Sequence, residues 1–474
     1  MNIKFSKMPP NLSCYFKSVN KIIKKKLIMK KQNNKGPDNL LADGHDICNY
    51  IARYGITNFQ IQTIMKLDGR LDFDKLSRAV RLSVDAEPVL GCRFVESNPP
   101  YWKRLDNIDN VKFCSFEETD NVDEAIQQFL ESPLDMDNDP MVKVGLIRSD
   151  AHDTLCVKLN HTCSDGAGAK EYLQLLSEIY SCIYNKNDNF IPKPSIRNSK
   201  DHEKLFCELG IKNPSSPWHS SPEGSIPLWI FPWKNKQKDN ISIAVCRLTS
   251  DEFDEISRYA KSKGATINDL VLTAFYRSMF KKSNSPYGVP MHIALTVDLR
   301  RFLPDKKADA IRNFSGGIDT KLSRKVHETF EGTLYRVIHR MNKAKKGRPG
   351  LENALAAERI EKLNFRQFRT YFKAASKISK IASLLPYNFV TVCAPGLSNL
   401  GIISKKLLKF GDKTVIDAYV VAPAIHAPGF LLVVSTYNKI LTLTVCYYKT
   451  TISRNYVESL LNRIKDELIK GCRH

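Results

Sequence analysis

Across its 474 residues the chain has no run of about 18 apolar residues, so no stretch has the length and character of a membrane-crossing helix. No two of its 12 cysteines stand at Cys-x-x-Cys spacing, and none clusters with histidines as a zinc site would need. That pattern excludes a zinc site and leaves no metal to expect. Thiols scattered through a chain of this size read as reduced, which points to the cytoplasm. The apolar stretches near the N terminus are too interrupted for the core of a secretory signal. Zinc-finger spacings and aromatic RNA-binding motifs are also missing, so no nucleic-acid partner is expected.

Acid is absent from one region: residues 1–36 hold ten Lys and neither Asp nor Glu. Residues 321–380 hold sixteen Lys or Arg against five Glu, and these two stretches account for +21 of the net +22. Residues 1–37 read as a basic, solvated tail. The run Val19 to Lys31 also fits a short amphipathic helix, so a weak contact of residues 1–36 with an anionic membrane surface stays open. With 42% apolar residues, the rest has the composition of a soluble globular chain and the length for two to three domains. We expect a monomer.

What the chain does contain is organised around Asn160-His161-Thr162-Cys163-Ser164-Asp165-Gly166. Leu155, Val157 and Leu159 alternate before it as one face of a strand. Tyr172, Leu175, Leu176, Ile179 and Ile183 follow at helical spacing. The motif is therefore a strand-to-helix loop. A histidine there has its backbone fixed by the strand while its ring faces beyond the sheet edge, and its unperturbed pKa near ~6.5 suits proton transfer. Asp165 is too close along the loop to share a target with His161. It reads as a loop organiser that accepts backbone N–H bonds or pairs with an arginine. Gly166 is expected to permit a positive φ and a close approach of substrate to the backbone. Cys163 sits two residues from His161, which is poor geometry for a nucleophile and its base. The same spacing also fits an ordinary polar loop.

Taken in order, residues 38–190 form a first half. Phe59 to Leu67 is a strand, Asp72 caps a helix that runs to about Val84, and Val89 to Val95 returns as a strand. Asn121 to Leu134 is a weaker helix. Seven prolines between Pro192 and Pro232 break residues 191–240 into a crossover. Trp218, Trp229 and Trp233 there pin it to the body or line a pocket. Residues 241–474 form a second half, with Ser250 capping one helix and Thr266 with Asp269 opening the next. Val415 to Ala422, Phe430 to Tyr437 and Ile440 to Tyr448 complete its sheet, and a helix from about Ser453 closes the chain. Basic helices span 324–345 and 352–384.

His-x-x-x-Asp-Gly between a strand and a helix resembles the signature of the CoA-dependent acyltransferase superfamily. That group includes chloramphenicol acetyltransferase, condensation domains of peptide synthetases, plant BAHD enzymes, alcohol acetyltransferases and polyketide-associated acyltransferases. Condensation domains often carry a second His just before the first, and here Asn160 takes that place. Lys66 to Asp72 through Glu87 to Phe94 is similar to the opening of such domains, and Gly264 to Leu272 resembles a helix start in their second half. Asp298-Leu299-Arg300-Arg301 resembles the strand end whose arginine pairs with the motif's Asp, and Arg300 is the matching position. A buried carboxylate needs such a fork-shaped cation in any case. Asn313-Phe314-Ser315-Gly316-Gly317 is similar to a glycine-containing segment beside the channel, and also fits an ordinary turn. Ser398-Asn399-Leu400-Gly401, after a strand Asn388 to Cys393, looks like a segment bordering that channel.

The resemblance implies an α/β fold with mixed sheets: two chloramphenicol-acetyltransferase-like subdomains and a channel between them. Its catalytic pair would be His161 and Asp165, supported by Gly166 and Arg300, with Asn313, Ser398 and Asn399 along the channel. His161 would take the proton of an alcohol or amine acceptor as it attacks an acyl-CoA thioester. No permanently bound cofactor is implied, since acyl-CoA is a co-substrate. We expect the chain to stand alone, without an attached carrier or adenylation domain, which together with Asn160 favours O-acylation from CoA. A free-standing condensation enzyme fed by an acyl carrier protein is the alternative, and a degenerate binding protein with an idle His161 is a third.

Overall fold

The computed structural model describes residues 38–473 apart from 55–56, 151, 186–189, 196, 198–199, 212–228, 235–239 and 383–391. The basic tail, Trp218 and much of the Pro-rich crossover therefore lie outside the described residues.

Local sequence rules account for most elements. In the first half β1 (Asn39–Leu41) leads to α1 (Gly44–Ala52), whose cap is reciprocal: Asp43 accepts from the Asp46 amide and Asp46 from that of Asp43. Strand β2 (Gln60–Leu67) precedes α2 (Phe73–Ala86), capped by Asp72, with Leu76, Ala79, Val80, Ser83 and Val84 on its buried stripe. The short strands β3 (Cys92–Val95), β4 (Tyr101–Arg104) and β5 (Cys114–Glu118) follow, then α3 (Val122–Glu131), β6 (Val142–Ser149), β7 (His152–Asn160) and α4 (Gly166–Tyr184). Val89 to Gly91, expected as the start of a strand, belong instead to a 3-10 turn that opens at Pro88. Proline at its start lacks the N–H that a strand ladder needs.

Among its described residues the crossover contains a helix, α5 (Lys200–Glu208), and a strand remnant, β8 (Trp229–Ile230). Trp229 is wholly buried and its indole N–H donates to the His292 carbonyl at 2.5 Å. It thus pins the crossover to the body. The second half comprises β9 (Ile241–Leu248), α6 (Ser250–Ser262), α7 (Ile267–Lys282), β10 (Pro290–Asp298), β11 (Ser315–Ser323), α8 (Phe330–Lys346), α9 (Leu351–Glu361), α10 (Phe365–Ala382), β12 (Val392–Ile402), β13 (Lys409–Phe410), β14 (Lys413–Val421), β15 (Gly429–Tyr437), β16 (Ile440–Tyr448) and α11 (Arg454–Cys472). Thr249, not Ser250, caps α6, because Glu252 three residues on returns the bond. The basic stretch after 350 is two helices, not one, since Asn364 accepts from the Gln367 amide and opens a new start. Asn438 and Lys439 both have positive φ, as a two-residue hairpin turn between β15 and β16 requires.

Two mixed sheets carry the molecule. The first runs β13-β14-β2-β7-β6-β5 and the second β11-β10-β12-β15-β16-β9, with β8 on β12; a small sheet β1-β4-β3 flanks the first. One expectation fails here. Strand β14, read as part of the second sheet, pairs antiparallel with β2 of the first, Val420 opposite Thr63. The cause lies just upstream, where Ser177 and Ser181 of α4 donate to the carbonyls of Leu407 and Lys409 and draw the chain onto the first lobe. Apolar residues specify that this segment is a strand, but not which edge it joins.

Each lobe has its own core, and a third cluster joins them: Ile64, Val421 and Ala424 against Ile241, Cys446 and Tyr448. Burying such side chains contributes about 1.5–3 kcal/mol each. Strand β7 is the central ladder of the first sheet, between β2 and β6, and is buried along almost its whole length. It fixes where His161 emerges. Among the described residues no helix is long and apolar enough to cross a membrane.

Candidate active site

The loop after β7 begins with a local bond, from the Thr162 amide to the Asn160 side-chain oxygen at 2.8 Å, which turns the chain off the strand. The His161 amide donates to the Phe59 carbonyl at 2.7 Å. Three successive loop carbonyls are then met by three distant segments. Asn49 of α1 donates to that of His161 at 3.1 Å, Asn313 to that of Thr162 at 2.7 Å, and Arg197 of the crossover to that of Cys163 at 3.4 Å. An irregular loop buried this deeply must find partners for its backbone, and here they come from both halves and the crossover.

The His161 ring is half-buried at the junction of the lobes. Its Nδ1 lies 3.1 Å from Asn313 Oδ1, and the Phe59 ring stands edge-on at 5.7 Å. Because Asn313 spends its NH₂ on Thr162, its oxygen faces the imidazole. The neutral ring therefore carries its proton on Nδ1 and keeps the Nε2 lone pair unprotonated.

Asp165 caps α4, accepting from the Gly168 amide at 2.8 Å, and also accepts from the Phe314 amide at 2.7 Å. Arg300 reaches it with Nη1 at 2.8 and 3.1 Å. Both side chains are almost fully buried. Burial alone would raise the Asp165 pKa, but the Arg300 charge and these donors outweigh it and hold the carboxyl below its usual range. Arg300 also donates to the Arg312 carbonyl at 3.0 Å and pairs with Glu171 at 3.2 Å. Burial lifts Glu171 to about 6 despite that pairing.

The structure revises several expected roles. Asp165 faces Arg300 and backbone amides, so it positions the loop. Gly166 is not among the positive-φ glycines. A Cβ there would stand 2.4 Å from Leu400 Cδ2, so a side chain would require the Leu400 methyl of β12 to shift. Asn313, expected along the channel, is 0% exposed and spends its amide on the loop. Ser398 and Asn399 lie within β12 rather than after a strand. Ser398 accepts from Thr296, and Asn399 accepts from the Gly401 amide. Cys163 is wholly buried, and burial pushes its thiol well above the usual range, which removes it as a nucleophile. Phe59, Asn49, Arg197 and Arg312 were not legible as site residues. A Phe at φ +51° leaves no trace in composition, and the other three join the loop across more than thirty residues of sequence.

Residues 55–286 match the Condensation domain family. An uncharacterised protein of Mycobacterium tuberculosis is 24% identical over 280 residues, 54% of this chain and 60% of that one. Less than two thirds of that relative is thus covered. Polyketide synthase associated protein 5 from the same organism superposes with a TM-score of 0.62 at 15% identity, covering 91% of this chain and 97% of that one. The trichothecene 15-O-acetyltransferase from Fusarium sporotrichioides gives 0.65 at 11% identity, covering 91% and 95%. The chain therefore matches the Condensation domain family over residues 55–286 and has the fold of these solved structures and of a condensation domain.

Proposed function

We propose that the protein is an acyltransferase that moves an acyl group from a CoA thioester to the hydroxyl of a small alcohol, with His161 as general base. The observation that supports this most is the 3.1 Å contact of His161 Nδ1 with Asn313 Oδ1, which keeps Nε2 available as a proton acceptor at the lobe junction. The acceptor O–H gives its proton to Nε2 as its oxygen bonds the thioester carbonyl carbon. The C–S bond then breaks, and the imidazolium returns the proton to the departing sulfur. An ester and free CoA are the products. Asp165 and Arg300 hold the loop, and alignment of the two reactants supplies the rest of the acceleration. Acyl-CoA is a co-substrate in this reading, and no resident cofactor takes part. We further propose a cytoplasmic monomer, with Ser398 and Asn399 near the path of the substrates.

The Condensation domain match favours a second reading, in which the acyl donor rides on a carrier protein and the product is an amide or ester. One experiment separates the two. Purified protein is given a panel of acyl-CoAs and alcohols, and free thiol and ester mass are followed together. Stoichiometric release of both supports the CoA reading; turnover only when the same acyl group is carrier-bound replaces it with the second.

A further inference from the structure

A second buried ion pair lies on the far side of the loop. Asp43, the cap of α1, accepts from Arg312 Nη2 at 2.7 Å across 269 residues of sequence. Arg197 pairs bidentately with Asp46 at 2.8 Å and stands 4.0 Å from Asp43. All four side chains are more than nine-tenths buried. The set is charge-balanced, two carboxylates against two guanidiniums. Burial would raise the Asp43 pKa, but Arg312 and Arg197 outweigh it and keep the group ionised. His45 and His202 stack at its edge, 5.1 Å apart, and burial holds both below the usual imidazole range, so they add no charge near neutrality.

What makes this pair more than an anchor is the run it holds. Arg312, Asn313 and Phe314 are consecutive, and each serves a different member of the motif: the Arg312 carbonyl takes Arg300, Asn313 Oδ1 takes the His161 ring, and the Phe314 amide serves Asp165. The run's downstream end is tied into β11, where Ser315 pairs with Asp298. Its upstream end is tied through the Arg312 side chain to Asp43.

We propose that Asp43 is a positioning residue for His161, acting through Arg312 to keep Asn313 where it selects the Nδ1–H tautomer. The proposal deepens the general-base reading and rests on it for its kinetic consequence, though not for its structural one. The cap of the first helix thereby selects the tautomer of a histidine more than a hundred positions later, through a main-chain segment of the opposite half.

The test uses Asp43→Asn, which can still cap α1, Arg312→Met, and the two combined. Each single change removes one member of the Asp43–Arg312 pair and unbalances the buried charges, which lowers the melting temperature; the two together restore the balance and recover most of that loss. In the folded double variant kcat falls about ten- to a hundredfold with KM within about twofold of wild type. The ¹⁵N spectrum of His161 loses its dominant Nδ1–H signature. Arg312→Lys, which keeps the charge, retains both turnover and tautomer. A folded double variant with wild-type kcat and an unchanged imidazole spectrum overturns the proposal, as does an Arg312→Lys as defective as Arg312→Met. Because the spectrum is read without substrate, failure to find any turnover counts against the acyltransferase reading and leaves the tautomer result to decide this one.

Discussion

The same loop is flanked by two kinds of histidine. His161 is half-buried, holds one ring nitrogen on an amide oxygen and leaves the other at the lobe junction. His45 and His202 are buried beneath it and stack on each other, and His202 also stacks on Phe314 at 5.0 Å. Burial drives His202 down to about 3, so it stays neutral wherever the protein works. Partnership and burial therefore separate these histidines. Residue type does not.

The largest way to break this contrast is to remove the charge that holds the loop. Arg300→Met leaves Asp165 ionised and unpaired in a buried site, and we expect a loss of roughly 3–5 kcal/mol in urea unfolding, together with turnover. Asp165→Asn/Arg300→Met should recover most of that stability without recovering rate. A smaller change sharpens it. Asn313→Ala frees the His161 ring and leaves the buried Thr162 carbonyl without its donor, so kcat is expected to fall about tenfold with a loss of about 1–3 kcal/mol in stability; an unchanged kcat in the folded variant would mean that the tautomer is set elsewhere.

Acid stability separates the two kinds of histidine more gently. A group whose folded pKa lies below its unfolded value stabilises the fold above the unfolded value and loses that contribution as pH falls. For His202 the loss begins near 6.5 and runs toward 3. The depressed Asp43 and Asp165 begin to lose theirs only below 3.8. Urea midpoints should therefore carry a His202-dependent loss between pH 6.5 and 3.8, set against the raised Asp46, Glu87 and Glu171, which favour the fold as pH falls. That loss should be missing from His202→Phe, which keeps the stack and removes the proton site. A decline of equal slope in both would assign the acid sensitivity to other groups.

Much of this architecture is written locally. The alternation ending at Leu159 placed the strand, the Asp43, Asp72 and Thr266 caps start helices where such side chains can accept N–H bonds, and Asn438-Lys439 turns a hairpin. Arg300 was reachable because a buried carboxylate demands a guanidinium and a matching position stood at a strand end. What stayed hidden is long-range. The entry of β14 into the first sheet depends on contacts with α4, and the three side chains that meet the loop carbonyls come from Asn49, Arg197 and Asn313. Their value lies in a meeting of distant segments that no local pattern encodes. Gly166 shows the reverse case: its φ is not positive, and what a side chain there would meet is the end of Leu400.

The central claim is that one imidazole moves the proton. Turnover of purified wild type and His161→Ala, assayed side by side by product mass with the best donor and acceptor found, addresses it directly. The account predicts a fall of about 10²- to 10⁴-fold in kcat at unchanged melting temperature. A folded His161→Ala that turns over at the wild-type rate contradicts it.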